Sequence, residues 1–124
     1  MNNLHDIIKT SSSLKLLYVE DNKSTRESTL EFLEDFFDDI ETAVDGEDGL
    51  EEFNTTEKQF DIILSDINMP KLNGIQMAEQ IRAQNNNIVI LFLSAHNETE
   101  YFMQSLKLGI DGYILKPLST EQFL

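Results

Sequence analysis

Apolar residues along this chain fall into short unbroken runs and longer helical stripes, in alternation. Leu14–Val19 reads as the first strand, and Phe60–Ser65 and Ile88–Leu93 are near-continuous runs of strand length, the pattern of strands buried on both faces. Ile40–Val44 instead alternates, with Ile40, Thr42 and Val44 set against Glu41 and Ala43, as an edge strand does. Gly112–Leu115 supplies the last strand. The intervening stretches have helical spacing. One runs from Lys23 to about Phe37, with Leu30, Leu33, Phe36 and Phe37 on one face, and a shorter one after Asp45-Gly46 carries Leu50 and Phe53. A third runs from Gly74 to about Ala83 with Ile75, Ala78 and Ile81 inward, and a fourth, opened by Asn97 and Glu100, runs to Gly109.

Such alternation specifies a parallel sheet with right-handed crossovers and helices on both faces. The expected fold class is therefore α/β, a doubly wound five-stranded parallel sheet over residues 14–124. Residues 1–13 are polar and end in a serine run, which suggests a leader outside the sheet. Leu4, Ile7 and Ile8 have helical spacing, so one apolar turn and plain disorder both stay open there. At the other end, Ser119 and Gln122 form a capping box, with Leu118 and Phe123 as its staple. A helix with two start signals ought not to stop after one turn. The expectation is a truncated final helix, a chain cut from a longer protein, and an apolar patch left for another element to cover.

Composition narrows the function. At 124 residues the chain has the size of one domain. It contains no cysteine, which excludes disulfides, thiolate zinc sites and thiol nucleophiles. No apolar run approaches the roughly 20 residues of a membrane span, and the N-terminus lacks the apolar core of a secretion signal. A cytoplasmic setting without membrane contact is expected. Nine basic against 23 acidic residues give a net charge of −14, which repels phosphate backbones and argues against direct nucleic-acid binding. No Gly-x-x-x-x-Gly-Lys occurs. Acidic clusters do, however, attract divalent cations.

The candidate chemistry sits at strand ends. Phe60–Ser65 runs into Asp66, then Ile67-Asn68-Met69-Pro70, where proline takes the chain out of the sheet. That puts Asp66 at the carboxyl end of a central strand, half exposed at a loop, where open α/β sheets bind ligands. Glu20-Asp21, Ser94 and Lys116 end three other strands, and parallel strands bring such ends to one edge. The edge strand ending near Val44 contributes nothing obvious. Two carboxylates 4 Å apart repel by about 4 kcal/mol at an effective dielectric of 20. Raised pKa values or a divalent cation relieve this, and few protein ligands with open water positions suit Mg²⁺ better than a caged Ca²⁺. A lysine and a hydroxyl opposite supply what a transferred phosphoryl group needs, and the remaining carboxylate can be its acceptor.

With Glu20-Asp21, Asp66, Asn68-Met69-Pro70, Gly74, Ser94-Ala95, Tyr113 and Lys116-Pro117 in order, the chain resembles the receiver domain of two-component response regulators, the CheY-like superfamily. The resemblance covers Leu14–Leu124 and implies a flavodoxin-like sheet in order 2-1-3-4-5. It implies a phosphoacceptor module and not an enzyme in its own right, with Asp66 phosphorylated from the phosphohistidine of a sensor histidine kinase or phosphotransfer protein. Asp21, Asp66 and the backbone carbonyl of Asn68 would hold Mg²⁺, for which Mn²⁺ could substitute, and Glu20 would act mainly through water. Lys116 would pair with the phosphoryl group, Ser94 would move to hydrogen-bond it, and Tyr113 would turn inward behind Ser94. Asn68 and His96 would tune how fast the phosphate is lost. A downstream output domain or partner protein, a possible dimer, and a cis Lys116–Pro117 bond complete what the family implies. Two other readings are weaker. A phosphohydrolase with an aspartyl nucleophile usually wants Asp-x-Asp after its first strand, and a flavodoxin-like cofactor binder wants a hydroxyl-rich loop where Glu20-Asp21-Asn22-Lys23 stands. His5 has no partner for a metal site, and Met69, Met77 and Met103 read as packing or interface residues.

Overall fold

The computed structural model describes residues 13–55, 59–85, 87–94 and 99–116. Among them the chain runs β1 (Lys15–Val19), α1 (Lys23–Leu33), β2 (Asp39–Ala43), α2 (Gly46–Asn54), β3 (Ile62–Asp66), α3 (Gly74–Gln84), β4 (Val89–Ser94), α4 (Thr99–Leu108) and β5 (Gly112–Leu115). The five strands form one parallel sheet in the order β2-β1-β3-β4-β5. This is the expected doubly wound class and order.

Strand periodicity sorts the side chains between two cores. Leu17, Val19, Ile63, Ile90 and Phe92 point to one face, where Met77, Ala78 and Ile81 of α3 cover them with Leu50 and Phe53 of α2 and Tyr101 of α4. Leu16, Tyr18, Ile62, Leu64, Leu91, Leu93 and Ile114 point to the other face, where Leu33 of α1 and Phe37 pack. A groove of about 630 Å³ lies beside α1 on that second face, lined in part by Ser28, Thr29, Phe32, Leu93 and Lys116. Helix starts follow the side chains available. Asn22 caps α1 by accepting from Thr25 N, and Asn73 with Gln76 makes a reciprocal capping box on α3.

The structure departs from the sequence reading at the end of α1 and at Asp66. Helix α1 ends at Leu33, not Phe37, because the chain tightens there. Asp35 N and Phe36 N donate to Phe32 O and Leu33 O in three-residue steps, and Phe37 turns into the core. Asp66 belongs to β3 and is 6 % exposed, not half exposed. Its register partner is Leu93 of β4, so the strand runs one residue further than its apolar run. Of the three methionines read as packing or interface residues, Met69 and Met77 are buried and Met103 is exposed on α4. The expected leader, His5, the cap at Asn97, the Lys116–Pro117 bond and the final helix lie outside the described residues.

At the opposite edge of the sheet Arg82 joins three elements. Its guanidinium donates to Ile88 O before β4, and to Gly109 O (3.2 Å) and Asp111 Oδ2 (2.9 Å) after α4. Asp111 Oδ2 also accepts from Ile90 N. Arg82→Met keeps the apolar stem, leaves the part-buried Ile88 O without this donor, and opens the exposed Gly109 O and Asp111 carboxylate to water. It is expected to cost about 1–2 kcal/mol, read as a lower urea midpoint at unchanged slope.

Candidate functional site

The site is assembled by register. Val19 faces Ser65 across the β1–β3 ladder, so Glu20 follows level with Asp66 at the carboxyl rim. Glu20 N donates to Ala43 O, which keeps the chain beside β2 for one more residue before Asn22 starts α1. Lys116 N donates to Ser94 O, which brings the end of β5 to the same rim. On the far side of Asp66 the chain folds back sharply. Gly74 N donates to Ile67 O at 2.8 Å, and a Cβ on Gly74 would collide with Asp66 O. Only glycine allows that approach.

Three carboxylates result, Glu20, Asp21 and Asp66, each with an oxygen within 4.8 Å of the others. Lys116 Nζ stands 3.2 Å from Asp66 Oδ2 and 3.5 Å from Glu20 Oε1. Asp66 Oδ1 accepts from Ile67 N at 2.9 Å, and Glu20 Oε2 accepts from Asn22 N at 3.1 Å. Glu20 is 1 % exposed, while Asp21 is open to solvent. Arg26 Nη1 donates to Glu20 O at 2.8 Å and so fixes the peptide from which the two acids diverge.

One lysine does not balance three acids, and the titration of the group reflects that. Burial pushes the Glu20 carboxyl up to about 7, with the Asp66 charge adding to the rise and the Asn22 amide and Lys116 opposing it. Burial also raises the Asp66 carboxyl, against the pull of Lys116. Partial burial works against the Lys116 ammonium, yet Asp66 and Glu20 together carry it above the usual lysine range. Glu20 Oε1 is buried and accepts no hydrogen bond. A buried carboxylate oxygen whose one partner is a lysine at 3.5 Å, shared with Asp66 among mutually repelling acids, fits a hard divalent cation well.

The remaining candidates lie around this core. Asn68 is exposed on the loop two residues past Asp66. Ser94 is fully buried at the end of β4. Tyr113 is half buried on β5, its ring edge-on to Phe102 of α4 at 5.0 Å between centroids. His96 lies outside the described residues. Sequence reasoning missed Asp45, which is buried at the end of β2, caps α2 through Asp48 N, and stands 3.9 Å from Lys71. The Asp-Gly pair opening a helix was its available signal.

A parallel sheet in this order, with acids and a lysine gathered on its carboxyl rim, is the architecture of receiver domains. The chain belongs to the response regulator receiver domain family, whose model matches residues 16–124. It is 36 % identical over 111 residues to the transcriptional regulatory protein DltR of Streptococcus agalactiae, covering 90 % of this chain and 49 % of that protein. The chain thus spans about half the length of such curated relatives. Among solved structures it resembles the N-terminal domain of an uncharacterised protein from Wolinella succinogenes, with TM-score 0.80 and 33 % identity over 89 % of this chain and 87 % of that one. It also resembles a chain of the CheX–CheY–BeF₃–Mg²⁺ complex from Borrelia burgdorferi, with TM-score 0.77 and 28 % identity over 88 % and 82 %.

Proposed function

We propose that this domain takes a phosphoryl group from a histidine kinase, or from a phosphotransfer protein, onto Asp66 and changes its signalling surface in response. The observation that carries this is Asp66 itself, buried between Lys116 and two further acids at the end of a central strand. An Asp66 carboxylate oxygen attacks phosphorus, the phosphorus–nitrogen bond of the donor's phosphohistidine breaks, and the freed imidazole takes its proton from solvent. Lys116 neutralises charge on the transferred oxygens. Glu20, Asp21, Asp66 and the Asn68 carbonyl would hold Mg²⁺, or Mn²⁺ in its place. When bound, the ion supplies positive charge to the phosphoryl oxygens. The resemblance to a chain from a complex that contains BeF₃ and Mg²⁺ supports this reading.

Afterwards Ser94 hydrogen-bonds the phosphoryl group and Tyr113 turns inward, altering the surface around α4 and β5. Asn68 and His96 set how long the acyl phosphate survives. The output belongs to a further domain or a partner protein, and a dimer is one form it can take. The module assists its own phosphorylation and dephosphorylation but turns over no separate substrate.

Incubation with Mg²⁺ and acetyl phosphate is expected to raise the intact mass by one phosphoryl group. The adduct should be lost with a chelator present. Equal labelling of Asp66→Asn would sink the assignment. Steady turnover of a generic phosphomonoester would favour the phosphohydrolase reading instead.

A further inference from the structure

The loop from Ile67 to Asn73 carries Asn68 past the acidic cluster, and its far side lies against the start of α2. We infer that Gly46 is a positioning residue. Its lack of a side chain lets α2 clasp this loop, and the clasp holds the groups following Asp66 in place for cation binding and phosphoryl transfer. The inference rests on the reading of Asp66 as the phosphoacceptor.

Three contacts carry it. A Cβ on Gly46 would overlap the carbonyl oxygen of Leu72 and lie 2.7 Å from its carbonyl carbon. Those are backbone atoms, so no rotamer change makes room. Gly46 does not have a positive φ, so glycine is needed here for space and not for conformational freedom. Next to it the buried Asp45 pairs with Lys71, whose φ of 68° is the one positive value among described non-glycine residues. A left-handed lysine is strained, and such strain persists where neighbours over-determine the backbone. Leu72 itself packs against the first core. The loop is therefore gripped at Ile67 by Gly74, at Lys71 by Asp45, and at Leu72 by Gly46. Close-packed contacts do not compress. A shift of α2 must move the loop that bears Asn68.

A neighbouring glycine provides the control. A Cβ on Gly49 would meet Met77 Sδ at 2.7 Å and Val19 Cγ2 at 3.1 Å, side chains in the core behind α2 and not in the loop. Mg²⁺ affinity would be measured by calorimetry well below each melting temperature. Amide exchange of residues 67–73 would be followed in the metal-free protein. Gly46→Ala is expected to weaken Mg²⁺ about tenfold, the usual scale for groups that orient metal ligands, and to speed exchange in the loop. Gly49→Ala should lower the melting temperature while leaving both readouts at wild type. Leu72→Ala, which keeps the glycine, should shift both in the same direction more weakly, and it decides the matter if Gly46→Ala does not fold. Unchanged Mg²⁺ affinity and exchange in Leu72→Ala, or equal effects from the two glycine variants, would overturn the clasp. A wild-type protein that neither binds Mg²⁺ nor labels would count against the phosphoacceptor reading instead, and loop exchange would still judge the clasp.

Discussion

Asp66→Asn is expected to make the metal-free domain more stable and, in the same protein, to remove the response to Mg²⁺. The wild-type carboxyl is buried, its pKa is raised chiefly by that burial, and it repels Glu20 beside it. A carboxyl raised in the folded state is a charge that folding must force into an unfavourable place at neutral pH. Asparagine has the same shape and can still accept from Ile67 N. Lys116 is not orphaned, because Glu20 remains 3.5 Å from its ammonium. The gain follows in sign from the raised carboxyl, because removing the charge removes what burial penalises. In thermal scans at pH 7 it is read as a higher melting temperature for Asp66→Asn than for the wild type without Mg²⁺. The sign carries a further condition. Stability lost to a raised carboxyl is lost as pH rises above its ordinary pKa of 3.8, so the advantage of Asn should shrink as pH falls towards that value and be gone below it. An Asp66 that served only as a strand-end cap would give the opposite result, a loss of its ion pair and no gain.

Burial here divides two acids that look alike in sequence. Glu20-Asp21 reads as a pair at a strand end, and the resemblance gives the direct metal contact to Asp21 and a water-mediated one to Glu20. In the folded chain Glu20 is the sequestered member, with one oxygen that accepts no hydrogen bond and has only the Lys116 ion pair, and Asp21 faces solvent. Local pattern could not tell them apart. Which one turns in depends on the ladder to β2 continuing through Glu20 N, and that is a tertiary fact. Asp66 is similar. Its strand was legible because Ile62, Ile63 and Leu64 form an apolar run, but its burial was not, because the loop that folds back over it depends on Gly74 lying against its carbonyl.

The sheet's composition was open to periodicity, and its order was not. Alternation of strands and helices implies parallel pairing, yet β2-β1-β3-β4-β5 followed from family resemblance alone. The overlong α1 has a plain cause. Phe36 and Phe37 continue the apolar spacing of Leu30 and Leu33, but they serve the chain's turn towards β2. Apolar spacing reports which residues are covered, not where the backbone stops being helical. The Gly46–Leu72 approach was wholly hidden, since it joins the start of α2 to a loop from another part of the chain.

Mg²⁺ should stabilise the domain in a pH-dependent way, weakly near pH 5.5 and strongly near pH 8. Burial and the neighbouring Asp66 raise Glu20 from 4.5 to about 7 in the metal-free fold. Between those values the folded state keeps a proton that the unfolded chain has released, so metal-free stability falls as pH rises from about 4.5 to about 7. A divalent ion supplies the charge that the proton supplied, and the two compete for the same carboxylates. Each pH unit below 7 should then weaken binding by up to about tenfold. A Mg²⁺ concentration a hundredfold above Kd adds about 2.7 kcal/mol, so a level that achieves this at pH 8 should add little at pH 5.5. The check is the difference in melting temperature with and without Mg²⁺ across that range. Glu20→Gln removes the titrating group, and it should raise metal-free stability at pH 8 and flatten the pH dependence of the Mg²⁺ gain. If the wild-type gain is the same at every pH, Glu20 is not linked to the ion, and its burial needs another explanation.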